Sequence, residues 1–219
     1  MNEPNPPNRC RIVLIAPPGS PLADFDRRFA AALAGGDVAS ILLPAYDLDE
    51  AAFQAFAERV VPIAQENGVA AVIAGDSRIA GRVRADGIHV DGRKAQLADV
   101  IDRMQDKMMV GAGGAKTRDD ALELGEARPD YLFFGRFGYD NTPAPHPRNL
   151  NLGRWWAEMI EIPCIVLGGS AIESVGPVAA TGAEFVALSS AVFADGIDAA
   201  TAIARANVLL DETASRFEG

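Results

Sequence analysis

Residues 163–190 read PCIVLGGSAIESVGPVAATGAEFVALSS, and this stretch decides the fold. An apolar run, 163–168, ends at Gly168-Gly169. A helical segment, 172–181, follows and stops at Gly182. A second apolar run, 185–188, ends at Ser189-Ser190. Each run is short and apolar at consecutive positions, as a strand buried on both faces is. Strand, helix and strand in succession form the unit from which parallel sheets are built.

Toward the N-terminus the unit recurs. Strands are predicted at 11–16, 38–44, 69–74, 87–90, 108–111 and 131–137. Helices are predicted at 22–34, 50–67, 77–84, 94–105, 118–127 and 152–160, and a last one at 197–217. Asp49 and Thr117 stand where N-caps are expected, and Gly68 where a helix stops. Eight strand–helix pairs predict an α/β fold, a single (β/α)8 TIM barrel with parallel strands. An open doubly wound sheet shares the alternation and is the rival. Residues 10–219 read as one domain. Residues 1–9, polar and rich in Pro and Asn, read as a flexible N-terminal tail with no apolar signal region. The loop 138–151, also rich in Pro and Asn, has no legible role.

Composition narrows the function. The 219 residues are 49% hydrophobic and 23% charged, which excludes a largely disordered chain. Thirty acidic against 20 basic residues give a formal charge of -10. That balance argues against nucleic acid and against an anionic membrane surface as partners. No apolar run approaches the ~20 residues of a membrane span. Cys10 and Cys164 lie in apolar runs and are too few for a disulfide framework or a four-cysteine zinc site. They read as buried free thiols, which suits a cytoplasmic location. Trp155-Trp156 reads as core or interface packing, and a homo-oligomer stays open.

In such a barrel the chemistry sits at the C-terminal ends of the strands. There Gly168-Gly169 and Ser189-Ser190 combine close backbone approach with free N–H groups, a setting for phosphate. The plainer alternative is a tight turn and a helix cap. Asp76 and Asp91 end strands three and four, where they could hold a divalent metal or simply cap loops. Lys116 follows a glycine-rich AGGA and either reaches a phosphate or stays solvated. Arg136, inside the apolar run FFGRFG, faces an anion or a carboxylate. His89 reads as a core residue and His146 as exposed. No Ser-His-Asp order or metal-type histidine spacing points to a hydrolase.

Five segments in order carry a family resemblance: ADGIHVDG (85–92), VGAGGAKTRDDALE (110–123), PDYLFFGRF (129–137), IPCIVLGGSAIESV (162–175) and TGAEFVALSSAVF (181–193). Together they resemble the thiamine-phosphate synthase family and its thiazole-tautomerase relatives, over about residues 69–193. The resemblance implies a β/α barrel that joins a hydroxymethylpyrimidine pyrophosphate to a thiazole phosphate in thiamine biosynthesis. Pyrophosphate would be released with magnesium, and no organic cofactor is implied. The thiazole phosphate would lie at Gly168, Gly169, Ser189 and Ser190.

Departures from the family pattern fall on the other half of the site. A Gln-x-Arg-x-Lys motif after strand two is replaced by LLPAYD, and an Asn-Asp pair by Gly75-Asp76. Lys94 stands in place of a metal-binding Asp. A Ser and a His after strand five become Gly114 and Lys116, and a Thr-x-Thr-Lys loop has no counterpart. On this reading Asp76 and Asp91 hold magnesium, and Lys116 and Arg136 do the catalytic work facing pyrophosphate. Arg93, Lys94 and Arg148 are further pyrophosphate-facing candidates. The expected partners are small phosphate or pyrophosphate compounds. The alternatives are a non-catalytic phosphate-binding or regulatory barrel and a thiazole tautomerase.

Overall fold

A computed structural model describes residues 8–19 and 24–213. The strands are β1 (Arg11–Ile15), β2 (Ser40–Pro44), β3 (Ala70–Ala74), β4 (Gly87–Asp91), β5 (Met109–Gly113), β6 (Tyr131–Phe134), β7 (Cys164–Leu167) and β8 (Phe185–Leu188). All neighbours pair in parallel and β8 returns to β1, so the sheet closes into a barrel in sequence order. The closed barrel prevails over the open sheet.

Around it lie α1 (Phe25–Leu33), α2 (Glu50–Glu66), α3 (Ser77–Val83), α4 (Lys94–Met104), α5 (Arg118–Gly125), α6 (Pro147–Met159), α7 (Val175–Ala179), the single turn α8 (Ser190–Phe193) and α9 (Ala199–Asp211). Both predicted caps form. Asp49 accepts from the Ala52 N–H at 2.8 Å, and Thr117 makes a reciprocal capping box with Asp120. No described helix is long and apolar enough to cross a membrane.

Strand alternation explains why the apolar runs are unbroken. Val13, Ile15, Leu42, Val72, Tyr131, Phe133, Ile165 and Leu167 fill the barrel interior. Ile12, Leu14, Ile41, Val166 and Val186 point outward under the helices. Both sides are dry, so apolar residues recur at consecutive positions along the strands; the buried His89 of β4, bonded to Tyr131, is an exception. Inside, a Cβ on Gly111 would fall 1.9 Å from the Tyr131 ring, so glycine at 111 makes room for that tyrosine. Cys10 and Cys164 are buried and unbridged, and burial pushes the Cys10 thiol up to about 12.

Several boundaries differ from the sequence reading. Strand six stops at Phe134, not 137, because Phe137 folds back to stack on Phe133 with ring centroids 5.1 Å apart. Arg136 is therefore a loop residue. Strand five runs to Gly113 rather than 111. Helix six begins at Pro147, five residues early; proline suits the first helical position, and His146 Nδ1 accepts from the Arg148 N–H. The segment 172–181 is a 3-10 turn followed by the short α7. The expected tail is corrected at its last residue: Arg9 is buried and donates to Asp211 at 2.5 Å and to Asn207 at 2.7 Å. Residues 1–7, 20–23 and 214–219, covering that tail up to residue 7 and the ends of two predicted helices, lie outside the described residues.

Candidate active site

Two adjoining cavities open at the C-terminal mouth and share Asp91. The larger, about 890 Å³, is lined by Arg93, Lys116, Arg136 and Arg148 from the loops after β4, β5 and β6 and the start of α6. None of the four has a carboxylate partner within 4 Å among the described residues. Arg136 lies over the Tyr139 ring, its guanidinium carbon 3.9 Å from the centroid, which fixes an otherwise exposed side chain. Such unpaired cations facing one space attract anions. Lys94, by contrast, is turned to Glu126 and paired there, and that bond raises its pKa. It does not line the large cavity, so four of the five cationic candidates converge.

The second cavity, about 570 Å³, is lined by Asp76, His89, Asp91 and Phe137 among others. Asp76 caps α3 and is gripped by Arg78, whose Nη2 donates at 2.6 Å and whose backbone N–H donates at 2.8 Å. The Arg78 guanidinium bond holds its pKa down to about 2. With the folded value below the ordinary one, the pair persists above about pH 4 and is lost as pH falls toward 2. Asp91 is half exposed and stands 3.9 Å from His89 Nε2. His89 is buried, its Nδ1 bonded to the Tyr131 hydroxyl at 2.9 Å, while Nε2 has no hydrogen-bond partner among the described residues. Burial raises the Tyr131 pKa and keeps the hydroxyl neutral. The core assignment of His89 is correct in position: its side chain is fully buried, and its Nε2 lies against Gly113 near Asp91 at the floor of the cavity.

The loops after β7 and β8 are the surprise. Ser190 N–H and Oγ both donate to the Asp140 carboxylate, at 2.6 and 2.7 Å. Ser170 N–H donates to the Thr142 carbonyl at 2.8 Å and Ala171 N–H to that of Pro143 at 3.3 Å. A Cβ on Gly169 would fall 2.2 Å from the Pro143 oxygen. The donors that the sequence offers to phosphate at Ser190 and beside Gly169 are thus held by the loop between β6 and α6. Gly168 packs beneath, its N–H bonded to Ala187, and Ser189 is buried.

The family model for thiamine monophosphate synthase matches residues 12–192. The chain belongs to the thiamine monophosphate synthase family. The thiamine-phosphate synthase of Rhodospirillum centenum is 31% identical over 199 residues, spanning 90% of this chain and 96% of that one. The thiamine-phosphate synthase of Hyphomonas neptunium is 29% identical over 219 residues, 97% and 98% of the two chains. Among solved structures, a thiamine phosphate pyrophosphorylase from Pyrococcus furiosus superposes with a TM-score of 0.75 at 19% identity, over 97% of this chain and 98% of that one. That likeness speaks for the fold.

For a member of the thiamine monophosphate synthase family, the carboxylates are a poor magnesium site. Asp76 spends its oxygens on Arg78, Asp91 stands alone, and no group of three His, Cys, Asp or Glu side chains converges among the described residues. Magnesium is usually held by carboxylates whose charge is free to face it, together with substrate phosphates. This donor set does not fit that role. Sequence reasoning missed Asp140, His89 and Tyr139. A histidine in an apolar strand two residues before an acid, hence on the same face of the strand, was a usable signal; Asp140 offered none.

Proposed function

We propose that this chain joins a hydroxymethylpyrimidine pyrophosphate to a thiazole phosphate, giving thiamine phosphate and pyrophosphate, in the cytoplasm. The observation that carries the reading is the convergence of Arg93, Lys116, Arg136 and Arg148 on one cavity in a chain of net charge -10. In the reaction the bond between the pyrimidine methylene carbon and the pyrophosphate oxygen breaks. The thiazole nitrogen forms a new bond to that carbon. Negative charge grows on the departing pyrophosphate, and stabilising it is the main catalytic task. Lys116 and Arg136 are assigned to that charge, with Arg93 and Arg148 orienting the pyrophosphate. The two cavities meet at Asp91, so a pyrimidine in the smaller one would present its methylene toward the cations. Purified protein given both substrates should release pyrophosphate and form thiamine phosphate. Absence of both products overturns the reading.

Fixed cations then take the place of the metal. Calorimetric titration with magnesium alone, up to about 1 mM, should show no binding, because the carboxylates are paired or isolated. Binding that disappears in Asp91→Asn would reveal a working metal site instead. The second reading, a non-catalytic phosphate-binding barrel, is favoured by one observation: Asp140 holds donors expected to receive phosphate. Binding of thiazole phosphate with no turnover would establish it.

A further inference from the structure

We propose that Asp140 is a resident competitor for the substrate's phosphate, and that thiazole phosphate gains its place by displacing the loop between β6 and α6. The proposal rests on the reading that the loops after β7 and β8 receive phosphate. The Asp140 carboxylate is itself an anion, is only 7% exposed, and accepts from two donors of Ser190. The hydroxyl of Ser190 also reaches the Asp140 carbonyl at 2.7 Å. Two further acceptors of the same loop, the Thr142 and Pro143 carbonyls, hold Ser170 and Ala171. The loop thus presents a carboxylate and two carbonyl oxygens to backbone donors at the ends of both strands, as a phosphate ester would. An N–H directed at one acceptor is not free for another. A phosphate dianion set beside a buried carboxylate is also repelled. Both cannot occupy the place together.

The loop is built to be displaced. Asn141, Thr142, Pro143 and Ala144 are exposed, so little apolar surface anchors the segment between Asp140 and Pro145. Segments held by polar bonds and few buried apolar contacts open at low cost. Gly138 has a φ of +75°, a left-handed value natural to glycine, and gives the backbone a pivot just before Asp140. Binding to the open loop is weakened by the fraction of molecules that are open, so whatever frees the loop tightens binding.

The test measures the dissociation constants of hydroxyethylthiazole phosphate and of the corresponding alcohol by calorimetry, with wild type, Asp140→Ala and Asp140→Asn. Thermal melts confirm that each variant is folded. The phosphate ester should bind Asp140→Ala about tenfold more tightly than wild type, and Asp140→Asn should lie between, while the alcohol is unaffected. Hydrogen exchange should show residues 138–146 exchanging faster when the ester is bound to wild type, with Ser190 still protected. Equal or weaker binding of the ester by both variants, no binding to any of the three proteins, or an unchanged loop on binding overturns the proposal. The turnover assay separates the two ideas. Turnover without any gain in affinity would sink the competitor and leave the reaction standing. A gain in affinity without turnover would do the reverse.

Discussion

Replacing Lys116 or Arg136 with alanine lowers kcat for thiamine phosphate formation by roughly 10²–10³ each, the loss typical of a well-placed donor to developing charge. Both line the large cavity and neither has a carboxylate partner among the described residues, so their charge is available to the leaving pyrophosphate. Arg136 carries a further demand. Its position depends on Tyr139, so Tyr139→Ala should reproduce part of the loss without touching charge. Lys94→Ala is the control. Paired with Glu126 outside the cavity, it should change kcat less than either. Steady-state kinetics on folded variants decide the matter. If Lys94→Ala is the damaging substitution and Lys116→Ala is silent, the assignment of the cations is wrong.

Trp156→Ala destabilises the barrel by about 3–5 kcal/mol, the range for losing a buried tryptophan. Trp156 is only 1% exposed and is the largest fully buried side chain among the described residues. Its Nε1 donates to the Ile162 carbonyl at 2.7 Å, and its ring meets Phe134 edge-on at 5.9 Å. Gly125 of α5 presses against it so closely that a Cβ there would fall 2.7 Å from the ring. The cavity left behind cannot collapse easily, because a strand and two helices define its walls. Urea unfolding should show the loss, and a drop below about 1 kcal/mol would mean that the neighbours repack. The melting temperature should fall by roughly 10 °C.

What the chain discloses before it folds depends on the distance over which each residue acts. Strands were legible because two dry faces demand runs such as VLI and AAVIA, and caps such as Asp49 because their partner is three residues away. The start of α6 was hidden by Pro147, which reads equally as loop or as first helical residue. The end of β6 was hidden because Phe137 belongs to the barrel's stack of rings and not to its ladder. At the site, Arg93, Lys116, Arg136 and Arg148 could be nominated one by one from their places after strands. Nothing local says that Lys94 pairs with a residue 32 positions on, or that Asp140 bonds one 50 positions on. The pairing of Asp76 was hidden for a similar reason, since its partner Arg78, two residues away, is left free by sequence alone to point elsewhere.

The grip of Arg9 on Asp211 and Asn207 has a consequence for how this molecule could be rebuilt. It brings residue 9 and residue 211 side by side, on the seam where β8 returns to β1. A ring joined at such a seam has no privileged place to be cut. A short linker from 213 to 8 would tie the ends, and new ones could be opened in an exposed turn such as Asp106-Lys107, away from the mouth. The order in which the strands are synthesised would change, while every neighbour in the circle would stay the same.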